Sequence, residues 1–244
     1  MNIRWVRINA IFRKELRDYR RNRFITVFTM AALPLIFVTL PMIQLFTINA
    51  SLSNARLDTR IGLSLLYMLI IPTIIPSTLA AYSVVGEREQ ATLEPVLITP
   101  IHPQEFLIGK ALAALVPTLV VAYTVFGVFL AGAAIFAQPA VVSAVFNPGH
   151  LLIQLLFTPL LAGWSIWVGI AVSARVSDVR AAQQLGTLAS LPPLAVVALV
   201  TFNVINPTPA LAFGLAAALL AIDTLAWRVV ATMFNRERLV TGRK

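Results

Sequence analysis

Residues 106 to 136 read FLIGKALAALVPTLVVAYTVFGVFLAGAAIF, an apolar run from Phe106 to Phe136 interrupted by one charge, Lys110. A helix needs about 20 such residues to cross roughly 30 Å of hydrocarbon. The run is continuous rather than alternating, which excludes a porin-like strand, and in lipid a continuous run satisfies its backbone only as a helix. It is longer than a bilayer requires, so as a span it must tilt, kink or extend into the interface.

On either side of it the pattern repeats. Apolar runs lie at about 24–46, 61–85, 151–173, 185–205 and 210–230, separated by charged or turn-rich breaks. Pro207 and Pro209 divide the last two so tightly that a helical hairpin is expected there. Hydrophobic residues make up 59% of the chain and charged ones 12%, about half the charge that a soluble domain carries. The predicted fold class is therefore an all-α integral membrane protein, a single transmembrane domain of six helices over residues 1–244.

Lys and Arg fix the expected orientation, because cationic loops stay in the cytoplasm. Seventeen of the 19 fall on one side: Arg4, Arg7, Arg13, Lys14, Arg17, Arg20, Arg21, Arg23, Arg88, Lys110, Arg175, Arg180, Arg228, Arg236, Arg238, Arg243 and Lys244. Only Arg56 and Arg60 fall on the other. The expectation is a multi-pass protein of a prokaryotic inner or plasma membrane, with residues 1–23 and the tail after 231 both cytoplasmic. The net charge of +9 follows this topology and predicts no nucleic-acid partner. The first run is too long and too heavily flanked for a cleaved signal, so it is expected to remain as an anchor.

Within the basic leader, Trp5, Ile8, Phe12, Leu16 and Tyr19 recur at helical spacing, with arginines on the other faces. This reads as an amphipathic helix lying on the inner leaflet and drawn to anionic membrane lipids. The alternative is a basic topogenic leader without defined structure.

Nothing in the chain resembles a nucleotide-hydrolysing site. A Walker A loop needs Gly, four residues, then Gly-Lys-Ser/Thr; here Gln104 precedes the Gly109-Lys110 pair where Gly is required, and Ala111 follows it. The absence of cysteine removes disulfides and thiolate metal sites. His102 and His150 fall in loops predicted on opposite sides, so they cannot share a metal. No paired carboxylates, His-rich motif or serine with a plausible base marks an intramembrane enzyme. The chain is expected to be no enzyme and to bind no cofactor or metal; any ATP and Mg belong to another chain.

The segment between the second and third spans reads GEREQATLEPVLITPI, from Gly86 to Ile101, and holds three of the ten acids within Glu87 to Glu94. Thr92 is suited to cap a short helix, with Glu94 and Pro95 in its first turn. Pro100 and Pro103 limit its length. Such a helix presents Leu93, Val96 and Leu97 on one side, a shape that a soluble partner can grip; the alternative is a solvated polar loop.

The Gly-Glu-Arg-Glu, Thr-Leu-Glu-Pro and Thr-Pro-Ile elements of this segment, with Arg-Lys-Glu-Leu at Arg13 to Leu16, resemble the permease subunits of type-2 ABC exporters. The resemblance implies a coupling helix here, docking on ATP-binding cassette ATPase subunits, and two permease chains pairing as a homodimer or heterodimer around a substrate path. It makes Glu87, Arg88, Glu89, Thr92, Leu93, Glu94, Pro95, Leu97, Thr99 and Pro100 the coupling residues. The competing class is an ATP-independent secondary transporter or channel, which normally shows more polar lining than a single deep acid.

That acid is Asp223, a candidate intramembrane polar site about two turns inside the last span. It reads as a substrate or ion contact, or as the partner of Lys110, Arg175 or Arg228. The adjacent Pro192 and Pro193 predict a local break in the fifth span. Small residues at Gly109 and Ala113, and at Ala210, Gly214 and Ala218, suit close helix contacts within one chain or between two.

Overall fold

The computed structural model describes residues 4–47, 54–89, 102–202, 204–205 and 208–233, and every regular element among them is helical. Helix α1 spans Trp5–Arg21. A π-helical segment, Phe24–Ala32, leads into α2, Leu33–Thr47, and together they form the first apolar span. Then follow α3 (Asn54–Glu89), α4 (Pro103–Phe136), the short α5 (Pro139–Val145), α6 (Pro148–Ser173), α7 (Val179–Thr201) and α8 (Pro209–Met233). Six of these stretches are long and apolar enough to cross a membrane. At a rise of about 1.5 Å per residue, α4 alone is roughly 50 Å long and exceeds the hydrocarbon thickness.

Helix α3 forms the core. Its Ile61, Ile71, Ile75, Leu79, Ala81 and Val84 are fully enclosed, and α2, α4, α6 and α7 all pack against it. In lipid the tails are as apolar as leucine, so close packing rather than exclusion from water holds such helices together. One close contact between backbones shows this. A Cβ on Gly169 of α6 would stand 2.9 Å from the Ser77 carbonyl of α3, and one on Gly186 of α7 would stand 3.5 Å from the Gly169 Cα. Beside it the Ser77 and Thr187 hydroxyls lie 3.2 Å apart. Three backbones meet where two glycines remove the side chains between them.

The outer faces carry large apolar side chains into the surroundings, among them Leu35, Val128, Leu188, Phe213 and Leu225, as a lipid-facing surface requires. Ala210, Gly214 and Ala218 lie on the open side of α8, and nothing stands within 4 Å of a Cβ on Gly214. The Gly109 row, by contrast, is used within the chain, as described below.

The expected break at Pro192 and Pro193 does not occur, because α7 runs through both. Pro192 is exposed and Pro193 half-buried, while Ser190 and Leu194 are buried on the inner side and the Ser190 hydroxyl bonds the Gly186 carbonyl at 2.7 Å. Hydroxyls beside other prolines act likewise, Thr73 on Leu69 and Thr118 on Ala114. His150 lies inside the first turn of α6 rather than in a loop, under the Asn147 cap that accepts from the Gly149 amide.

Candidate functional site

The candidate site is the end of the bundle where α1 crosses the last turns of α3 and the first turns of α4. Those two helix ends are the roots of the 90–101 segment. Helix α1 turns Ile8, Ile11, Glu15 and Tyr19 inward, while Phe12 and Leu16 are half-buried against the same core and Trp5 is 69% exposed. The helix comes close because Gly109 has no side chain: a Cβ there would meet the Ile11 Cβ at 2.8 Å and the Ile8 carbonyl at 3.3 Å. The Gly-Lys pair that failed as a phosphate loop is thus a seat for α1.

Lys110 holds the helix in that seat. Its side chain is fully buried, and its ammonium donates to Glu15 Oε1 at 2.9 Å and to the Ser83 carbonyl at 2.7 Å. Glu87 Oε2 lies 2.9 Å away as an ion pair, and the Phe106 ring centroid is 4.8 Å from the charge. Lys14 approaches from the outer side, pairing with Glu87, with Glu15 at 3.3 Å and with Asp18 at 3.6 Å. Burial works against the Lys14 charge, but the Glu15 and Glu87 carboxylates outweigh it and raise its pKa above the usual lysine range. In this quartet the formal charges of the two lysines and two glutamates balance; Lys110, Glu15 and Glu87 are enclosed, while Lys14 is half exposed. Each charge would cost several kcal/mol to bury alone, and removing one member of a buried pair typically costs about 3–5 kcal/mol.

A second attachment lies at the start of α4. Glu105, enclosed by its neighbours, accepts from the backbone amides of Arg4 at 2.9 Å and His102 at 3.1 Å and pairs with Arg7 at 3.2 Å. His102 is the N-cap of α4 and Arg4 that of α1, so one carboxylate serves the positive ends of two helices. Glu87 and Glu105 therefore tether both roots of the 90–101 segment to α1.

Of the expected coupling residues, Glu87 sits in the quartet, and Arg88 and Glu89 end α3. Thr92, Leu93, Glu94, Pro95, Leu97, Thr99 and Pro100 lie outside the described residues. Lys14, Glu15, Lys110 and Glu105 escaped the sequence reading as a site. The signal was nonetheless present: Glu15 falls on the same helical face as Ile8, Ile11 and Tyr19, and Lys110 is the one charge of its run. Two opposite charges, each stranded in an apolar stripe, are natural partners.

Asp223 is buried on α8 with none of the three proposed cations beside it. Lys110 is committed to Glu15 and Glu87, and neither Arg175 nor Arg228 forms an ion pair with it. Its Oδ1 is enclosed without a hydrogen-bond partner, and its Oδ2 stands 2.9 Å from where a Cβ on Gly163 of α6 would be. One turn further along, Trp227 packs on Trp167 with ring centroids 5.1 Å apart.

Six apolar spans, with α3 enclosed among them, and a buried cation, the only one among the described residues, tied to the roots of one inter-span segment define a multi-pass membrane protein. The chain belongs to the ABC-2 type transporter family, whose match covers residues 6–221. It is thus the membrane permease component of an ABC transporter, a kind of subunit that works with an ABC ATPase. No curated protein matches the chain.

Proposed function

We propose that the chain forms the substrate path of an exporter, with both ends in the cytoplasm, and that the segment from Glu87 to Pro100 docks on the ATPase subunit. The carrying observation is the arrangement of the segment's roots: Glu87 and Glu105 are buried at either end of it, Glu87 paired with Lys14 of α1 and Glu105 bonded to the Arg4 amide and paired with Arg7. A segment that receives force needs anchored roots, because a slack attachment would absorb the displacement. ATP and Mg bind the partner, a second permease chain completes the path, and closure of the ATPase pair switches the spans between inward and outward states. The arginine row lining the groove along α1, Arg13, Arg17, Arg20 and Arg21, with the exposed Trp5, suits anionic headgroups of the inner leaflet.

The docking contact rests on apolar burial. Each buried leucine is worth about 1.5–3 kcal/mol, whereas an exposed charge at the rim is worth about 1 kcal/mol or less. Leu97→Asp is therefore expected to abolish co-purification with the cognate ATPase, or its coupling to transport, while Glu89→Gln changes little. Leu97→Pro should act like Leu97→Asp by interrupting a short helix. The assay is co-purification, with hydrolysis and transport measured together. Wild-type behaviour in both Leu97 variants would reduce the segment to a connector.

A further inference from the structure

We propose that the contact between α6 and α8 is a binding site for apolar amines, reached from the lipid, with the Asp223 carboxylate as counter-charge to the ligand's ammonium group. The proposal deepens the exporter reading by naming a class of cargo; its use in transport rests on that reading, while the binding does not.

The site is built around a gap in the chain's own bonding. Asp223 is 8% exposed, and its Oδ1 is enclosed with no hydrogen-bond partner. Trp164 of α6 packs into the apolar cluster that holds Ala216 and Leu219 of α8, and its Nε1 donor is likewise enclosed without an acceptor. A buried polar atom left unpaired is costly, and native structures keep few of them. Here an acceptor and a donor both stand orphaned where α6 meets α8. The chain's own cations do not fill the gap: Arg175 and Arg228 are exposed, and Lys110 is held by Glu15 and Glu87.

The surroundings select the chemistry of the ligand. Gly163 leaves the carboxylate its place, since a Cβ there would stand 2.9 Å from Oδ2 and 3.5 Å from Cγ. Four residues further along both helices the Trp167 and Trp227 rings meet with centroids 5.1 Å apart and planes inclined at 59°, and indole faces attract an organic cation. An ammonium N–H satisfies Oδ1, the carboxylate balances its charge, and the indoles and leucines receive the apolar body. A hard metal ion takes roughly six or more oxygen ligands; it would find one carboxylate here, and no cluster of metal-ligating side chains exists among the described residues.

Access comes from the bilayer. Helix α8 presents Leu220, Ile222, Leu225 and Val229 outward, and an apolar amine concentrates in the same lipid. Among the described residues α8 packs mainly on α6, with a small contact to α4. Parting α6 from α8 therefore uncovers the carboxylate and leaves the α3–α6–α7 contact in place.

The test uses the permease in lipid nanodiscs, with phenylbutylamine as the probe and phenylbutanol and phenylbutanoate as its neutral and anionic counterparts. Equilibrium binding is corrected for empty discs. The amine is expected to bind saturably and roughly tenfold or more tighter than the alcohol, the margin of a charge-assisted hydrogen bond, and the acid not to bind. Asp223→Asn should bring the amine down to the affinity of the alcohol. Gly163→Ala, which crowds Oδ2, and Trp227→Leu, which removes a π-face, should each weaken the amine more than the alcohol, while Gly214→Ala on the open side should change neither. The preference for the amine in the wild-type chain is read without any variant, so it decides even where a variant folds poorly. No saturable amine site, equal affinity for amine and alcohol, or a preference that survives Asp223→Asn would each overturn the proposal. In the complete complex with its ATPase, the amine should raise hydrolysis and be moved across the membrane. Binding that depends on Asp223 without such movement would uphold the site and count against the exporter reading.

Discussion

Lys110 and Asp223 are both charges set within apolar helices, yet their surroundings differ completely. Lys110 spends its donors on Glu15 and the Ser83 carbonyl and its charge on Glu87 as well. Asp223 has an enclosed oxygen with no partner and a glycine facing it. An acid in mid-membrane costs about 2.5–3.5 kcal/mol on insertion scales, and such residues are kept where they serve a pathway or a ligand. Asp223→Asn preserves the shape and removes the charge. It is expected to leave assembly intact and raise the melting temperature in detergent, while lowering transport and substrate-stimulated hydrolysis. A fall in melting temperature with transport unchanged would mark the carboxylate as structural.

At the scale of helices, glycine placement separates contacts that hold the bundle from surfaces that do not. Gly169 faces the Ser77 backbone at a distance that no side chain can occupy, whereas Gly214 looks into open space. Overpacking a tight contact costs about 1–3 kcal/mol or more when backbone must yield. Replacing an exposed helical glycine by alanine gains about 0.5–1 kcal/mol. Gly169→Val should therefore lower the melting temperature markedly and Gly214→Ala should leave it equal or higher. Thermal melts of the two purified variants in one detergent check this directly, and equal effects would mean that the α3–α6–α7 contact is not what closes the core.

For the molecule as a whole, the decisive property is the side on which α1 and the 90–101 segment lie. The proposed orientation, argued from the count of arginines and lysines, has them in the cytoplasm together with residues 174–184 and the tail. Single cysteines introduced at positions 90 and 240 are expected to resist impermeant thiol reagents applied to intact cells, and those at 55 and 145 to react. The reverse labelling pattern would invert the topology and remove the proposed docking with it.

The sequence by itself determined the class of fold and the spans. Their length and continuity leave the backbone one way to satisfy its hydrogen bonds in lipid, and that argument needs no knowledge of neighbours. It also singled out the acidic inter-span segment through local cues, a cap, a proline and a cluster of acids. It identified Lys110, Asp223 and the Pro192-Pro193 pair but misjudged the company each keeps. Only the tertiary structure decided that Lys110 joins Glu15 and Glu87 rather than Asp223, that Gly109 seats α1, and that α7 runs unbroken through Pro192 and Pro193. These outcomes depend on which faces of helices distant in sequence come together. A pairing between residues 15, 87 and 110 is fixed by packing and charge compensation in three dimensions, whereas helical periodicity describes one helix at a time.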